Sequence, residues 1–183
     1  MIDFTASELK RYGATLASTS PEQEYLSRML ALLAEHQLAA FSRHTFAPGH
    51  FTASAFILSP DKQRLLLIHH GKLGRWLQPG GHIEARDLNP WSAALREVKE
   101  EVGLDSSQLT ADVEVFDIDV HAIPALGKEP EHEHFDLRFL FTTLSDEVVA
   151  GDEVNDAKWW SLGELASSAE DGSVRRAVQK LAQ

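Results

Sequence analysis

The stretch LREVKEEVGL, residues 95–104, places three glutamates, Glu97, Glu100 and Glu101, within five positions. At about 100° per residue, Glu97 and Glu101 sit ~40° apart on a helical wheel and Glu100 lies within ~100° of them, so the three make one acidic face. Trp91, Leu95, Val98 and Val102 form an adjoining apolar stripe expected to meet the core. Like charges at i and i+4 each oppose an isolated helix by about 0.2–0.5 kcal/mol. Lys99 points elsewhere on the wheel, so Glu97 and Glu101 lack a neighbouring cation and the face calls for one. Carboxylates suit a hard divalent ion, and Mg²⁺ typically takes a few of them, keeps water and meets substrate phosphates. Taken alone, the helix also admits a plainer account: a solvated face in which Arg96 and Glu100 are an ordinary i,i+4 pair.

The segment EHEHFDLRF is the second place where residue types suggest chemistry. Strand alternation puts His132, His134, Asp136 and Arg138 on one face and Phe135, Leu137, Phe139 and Phe141 on the other. The apolar face goes to the core, so the polar face is either solvent or a cleft where the histidines and Arg138 meet phosphate or a leaving group. A His-x-His pair also suits zinc, but a third and a fourth ligand must converge and no local spacing signals them. Arg75, in GRWLQ, is a further substrate-side cation. His69 and His70 end an apolar run, one facing core and the other solvent. Trp76, Trp159 and Trp160 could stack on a base, with core packing the expected fate of at least two.

These residues need positioning elements. In STSPEQEYLSRMLALLAEH, Ser20 can cap a helix, Pro21 suits its first position, and Tyr25, Met29, Leu32 and Leu33 recur at helical spacing. FTASAFILS and RLLLIHH read as strands joined by PDKQ, and RWLQ follows the turn HGKLG. PGGHIEARDLN is a strand-to-helix loop in which Gly80 and Gly81 permit close backbone approach to a ligand. Asn89 then caps a helix with Pro90 first, which Gly103 can close. DVEVFDIDVHAI and HEHFDLRFLFTTL alternate like half-buried strands, AKWWSL is a short strand, and SVRRAVQKLAQ is a terminal helix. The segments do not alternate strictly between strand and helix, which predicts a mixed sheet with helices packed on it, an α+β or three-layer fold. Residues 1–45 are expected to be a helical extension packed on a domain spanning 46–183.

Composition narrows the function. The 183 residues carry a formal charge of -11 and no Lys/Arg run, which disfavours nucleic acid as a partner. Cysteine is absent, which excludes disulfides, thiolate metal sites and cysteine nucleophiles. No apolar run approaches a membrane span, and no basic-then-apolar leader pattern opens the sequence, so a soluble cytoplasmic protein is expected.

Together, GGHIEARDLNPWSAALREVKEEVGL resembles the signature of the Nudix hydrolases, G-x5-E-x7-R-E-U-x-E-E-x-G-U with U aliphatic. The second half matches throughout, from Arg96 to Leu104. In the first half, counting from Gly81, Asp87 takes the place of the first glutamate, eight residues rather than seven precede Arg96, and Arg86 stands where the family often has glycine. The resemblance implies an αβα-layered Nudix fold and hydrolysis of a nucleoside diphosphate linked to another moiety, by water attack on phosphorus. It implies Mg²⁺ or Mn²⁺ held by Glu97, Glu100 and Glu101 with the Gly80 carbonyl nearby, and Arg96 orienting a glutamate. The general base is then Glu97 or a carboxylate from a later loop, for which Glu153 in GDEVNDAKWW is the positional candidate. Asp87 is expected outside the metal's ligand set. The implied partner is a small nucleotide derivative, with a homodimer among the assemblies open to the chain. The isopentenyl diphosphate isomerases of the same fold rely on a cysteine and are excluded. A catalytically inactive ligand-binding module is the alternative, although such modules often lose the glutamates.

Overall fold

The computed structural model describes residues 2–17, 20–71, 74–152, 154–168 and 172–182. Its helices are α1 (Ala6–Gly13), α2 (Glu22–His36), α3 (Pro90–Val102), α4 (Leu162–Ser168) and α5 (Gly172–Leu181). Its strands are β1 (Gly49–Leu58), β2 (Arg64–His70), β3 (Trp76–Leu77), β4 (Gly80–His82), β5 (Leu109–Ala111), β6 (Asp117–Ile123), β7 (His132–Thr143) and β8 (Val154–Ser161). They build the mixed sheet with helices that the segment pattern predicts. The chain forms two compact units, neither a continuous stretch: Met1–Ser54, Gly81–Ala93 and Val113–Phe139 make the first, and Ala55–Gly80, Ala94–Asp112 and Leu140–Gln183 the second.

In the first unit α1 begins with a capping box: the Thr5 side chain accepts from Ser7 N–H while the Glu8 carboxylate accepts from Thr5 N–H. Such reciprocal capping fixes a short helix that is marginal by propensity alone. The T-A-S-E spacing was the signal for this helix, which the periodicity-based reading passes over. α2 starts at Glu22 with Pro21 as its N-cap and no side-chain cap bond, one residue later than expected, although Ser20 Oγ does accept from Glu22 N–H at 3.3 Å. Phe41 stacks on Phe51 with centroids 5.0 Å apart, Phe4 meets both edge-on, and Phe51 meets Phe135 at 6.1 Å. Such pairs each add about 0.5–1.5 kcal/mol beyond area burial, and they fasten the N-terminal residues to β1 and β7. Arg28 of α2 pairs with Glu133 and lies over the Phe135 ring.

β6 and β7 pair antiparallel with Asp117 opposite Arg138, Asp119 opposite Asp136 and His121 opposite His134. DVEVFDIDVHAI therefore becomes strand only from Asp117; residues 112–116 are not strand. β1 is buried along its whole length, and its His50, Thr52 and Ser54 alternate on one side. Thr52 and Ser54 both donate to Asp136 of β7, at 3.0 and 2.8 Å.

In the second unit β2 is central to its ladder, pairing antiparallel with β1, β3 and β8. Leu65, Leu66, Leu67 and Ile68 are accordingly all buried, the pattern of a strand covered on both faces. α3 has the predicted ends: Asn89 Oδ1 accepts from Ser92 N–H at 2.8 Å, and Gly103 at φ 71° receives the chain in the left-handed region. The predicted loop over Gly80 and Gly81 is instead strand β4, paired with β1. Three residues are too few to show a period, and two glycines argue for a turn, so pairing rather than local preference makes this strand.

Candidate functional site

The buried residues of α3 include Ala93, Ala94, Val98, Glu101 and Val102, while Trp91 and Leu95 are only half-buried. Glu101 therefore lies within the packed stripe rather than beside it, 9% exposed. A carboxylate in that position needs polar partners, and the Gly80 N–H donates to its Oε2 at 2.9 Å. Gly80 thus stands beside Glu101 with its amide aimed at the carboxylate. Arg96 Nη1 bridges Glu97 Oε1 at 2.7 Å and Glu100 Oε2 at 2.9 Å. Glu97 consequently has the cationic neighbour that the wheel did not reveal, because a long arginine reaches back across its own face. Lys99 does point elsewhere, to Asp105 at 3.1 Å.

The chain after β7 is tied to this helix. Val149 N–H donates to Val102 O at 3.1 Å and Gly151 N–H to Glu101 O at 2.8 Å. A Cβ on Gly151 would stand 2.0 Å from the Glu100 carbonyl oxygen, so only glycine allows this approach. Glu153 itself lies outside the described residues.

Asp87 is 6% exposed, and its Oδ2 accepts from Glu84 N–H at 2.8 Å while its own N–H donates to Glu84 O at 3.0 Å. It closes the four-residue turn 84–87. Arg86 pairs with Glu84 at 2.8 Å. Arg75 is exposed. His69 and His70 are both half-buried, so neither enters the core, and His69 Nδ1 lies 3.1 Å from Asn155 Nδ2. Trp76, Trp159 and Trp160 are half-buried as well, with Trp76 edge-on to Trp160 and cations over the other two rings: Arg64 over Trp159, Lys158 over Trp160.

On the polar face of β7 Asp136 and Arg138 are buried beside side chains of the in-sheet neighbours β1 and β6, while His134 is half-buried. Arg138 is 2% exposed, and its guanidinium meets Asp136 at 2.8 Å and Asp117 and Asp119 at 3.3 Å each. Burial alone pushes its pKa down, but the three carboxylates, Asp136 foremost, more than reverse this and hold it above the ordinary arginine value. The expectation that Arg138 meets phosphate is thereby corrected, since its donors serve buried carboxylates. The same guanidinium relieves Asp119 and Asp136, like charges placed directly opposite each other across the strands.

His132 is buried, with Nδ1 2.8 Å from Pro130 O. His134 is packed among rings, with His50, His82, His121 and His132 at centroid distances of 4.9, 5.2, 5.6 and 5.2 Å. Burial, reinforced by the neighbouring histidines, pushes His134 down to about 2, and burial with Arg43 nearby pushes His82 to about 4. His50 is lowered too, by burial. His50 and His82 were missed in the sequence; the signal was the alternation of His50, Thr52 and Ser54, which matches that of His134 and Asp136.

Among the described residues no helix is long and apolar enough to cross a membrane. The NUDIX domain profile matches residues 48–181. No curated protein matches the chain. Among solved structures, a hydrolase of the NUDIX family from Clostridium perfringens is 30% identical, with a TM-score of 0.55 over 77% of this chain and 97% of that one. The dihydroneopterin triphosphate pyrophosphohydrolase of E. coli is 23% identical, with a TM-score of 0.57 over 71% and 92% of the two chains. The NUDIX domain of NrtR from Shewanella oneidensis, crystallised with ADP ribose, is 18% identical, with a TM-score of 0.56 over 81% and 96%. A profile match over most of the chain, on a helix that carries the signature's arginine and three glutamates, makes this protein a member of the Nudix family and a pyrophosphohydrolase of phosphoric anhydrides.

Proposed function

We propose that the protein hydrolyses a nucleoside diphosphate linked to a second moiety, using Mg²⁺ or Mn²⁺ held by Glu97, Glu100 and Glu101 with the carbonyl of Gly80. The observation that carries this is the burial of Glu101 on the packed stripe of α3 with Gly80 against it, an arrangement costly for a helix that needed only a solvated face. The donor set fits the ion: three carboxylates gathered on one helix are hard oxygen ligands, each with about four acceptor positions. When bound, such an ion offsets the charge of the anhydride and lowers the pKa of water.

The chain's own residues supply the rest. Arg96 fixes the rotamers of Glu97 and Glu100, so neither carboxylate must be ordered during the reaction. Water attacks one phosphorus, the bridging oxygen leaves with the other phosphate, and a carboxylate takes the water's proton. Glu97 or Glu153 is that base; Gly151, two residues before Glu153, is bonded to the Glu101 carbonyl, which brings this part of the chain to the glutamate helix. Of the substrate-side residues expected, Arg75 is the exposed cation suited to phosphate. His132, His134 and Arg138 would act on substrate only indirectly, through the network they hold. Residues 1–45 serve as an extension that buttresses β1 and β7.

The test is hydrolysis of a panel of nucleoside triphosphates, nucleotide sugars, ADP-ribose and dihydroneopterin triphosphate with Mg²⁺ or Mn²⁺ in ¹⁸O-water, read by phosphorus NMR and mass spectrometry. The expected result is cleavage of one anhydride with a single ¹⁸O in one phosphate product, abolished by chelator. Turnover unaffected by chelation, or label outside phosphorus, would contradict the proposal.

A further inference from the structure

A second constellation lies within the first unit and uses different donors. His50 on β1, His82 on β4 and His134 on β7 turn toward one another, and one ring nitrogen from each falls within 4.8 Å of the other two. His50 is 0% exposed, and its Nε2 and that of His134 are buried without a hydrogen-bond partner. A buried polar atom left unsatisfied carries its full desolvation penalty, and two facing one small space are uncommon in a native protein. The other nitrogen of His50, Nδ1, lies 3.0 Å from the Thr45 carbonyl. A carbonyl accepts only from N–H, so the proton sits on Nδ1 and the lone pair is left on the buried Nε2. Metal-ligating histidines are oriented by the same kind of outer contact.

On the face that carries His134, the carboxylates of Asp117, Asp119 and Asp136 surround the Arg138 guanidinium. Asp136 is two residues from His134, about 7 Å along a strand. His121, opposite His134, is itself held by Asp119 at 3.1 Å. Three imidazoles and no carboxylate or thiolate in the ligand set suit a borderline ion rather than Mg²⁺. Tetrahedral bonds of about 2.0–2.1 Å place nitrogens ~3.4 Å apart, so closing from within 4.8 Å needs ring shifts of about an ångström.

We propose that His50, His82 and His134 form a binding site for a zinc-class transition metal ion, with a fourth position left for water or an anionic ligand. The site is independent of the glutamate helix: its donors are nitrogens and lie on three strands.

To silence the carboxylates, the experiment uses the full chain carrying Glu97→Gln and Glu101→Gln, stripped with chelator. Cobalt(II) is titrated in, then displaced with zinc, and the zinc-loaded protein is measured by X-ray absorption. The expected result is one cobalt per chain with the intense visible bands of four-coordinate geometry, and three imidazoles around zinc. Loss of an outer contact alone typically weakens a site 10–100-fold, so His82→Ala or His134→Ala should weaken binding by at least about 100-fold. Fewer than three imidazoles around zinc, a pale six-coordinate cobalt spectrum, or affinity unchanged in a folded His82→Ala protein would overturn the site. The imidazole count needs no histidine variant and so decides the question even if the substitutions unfold the chain. Phosphate binding by the metal-free protein with no metal uptake would mark the cluster as an anion site instead.

Discussion

The glutamates of α3 and the histidines of the first unit are two ways of gathering ligand atoms. Glu97, Glu100 and Glu101 come from one turn and a half of helix, with one arginine to hold two of them and one backbone amide to hold the third. His50, His82 and His134 come from strands separated by tens of residues; His50 is buried, the other two are half-buried, and desolvation lowers the pKa of all three. The first set crowds like charges on one helix face; in the second, His50 and His134 each bury an unsatisfied nitrogen. Charge and position on a helix can be read locally, whereas neutrality and convergence are products of packing. The difference also divides the expected ions, hard for the oxygens and borderline for the nitrogens.

The comparison breaks most sharply at Glu101. Glu101→Gln keeps the shape and the Gly80 contact but removes the charge, so kcat/KM should fall about a thousandfold, ~4 kcal/mol, with little change in melting temperature. A loss under tenfold at limiting Mg²⁺ would mean that this carboxylate is structural only.

The histidine side of the comparison depends on the charge network beside it. Arg138→Met removes the guanidinium that three buried carboxylates share and should destabilise the fold by ~3 kcal/mol, lowering the melting temperature of a chain this size by several degrees. An unchanged denaturation midpoint would show that these aspartates are protonated or hydrated in the folded state.

Acid separates the two regions further. An unfolded histidine titrates near 6.5, whereas burial puts His82 at about 4 in the folded chain. Below about pH 6.5 the unfolded chain therefore binds a proton that the folded chain refuses, so stability falls as pH falls. The His82 contribution is complete above about 6.5, is lost down to about 4 and then levels off; His134 extends the loss toward about 2. His82→Asn should flatten the dependence of unfolding free energy on pH between about 6.5 and 4. A parallel curve would place the titration elsewhere.

The smallest effect is expected at Asp87, which closes a turn rather than carrying charge for a ligand. Asp87→Ala should cost less than tenfold in kcat/KM, together with about 1–2 kcal/mol of stability for the exposed Glu84 amide. A loss as large as that of Glu97→Ala on the same substrate would make Asp87 the functional equivalent of the signature's first glutamate.

The sequence by itself determined what depends on neighbours within a turn. The i, i+3, i+4 spacing of α3, its Asn89 cap and its Gly103 close were legible, and so was the acidic face, because helix geometry converts spacing directly into direction. The alternation in HEHFDLRF likewise gave the correct partition of β7 into polar and apolar faces. Only the tertiary structure decided what covers those faces. A strand's sequence does not state which strands flank it, so nothing local showed that His50 and His82 join His134, or that three aspartates close around Arg138. The short β4 escaped for the same reason: two glycines and a histidine have little strand preference, and it is pairing with β1 that makes them one. Glu101 belongs to both accounts, since its place on the helix follows from spacing, while its burial against Gly80 follows from where the rest of the chain packs.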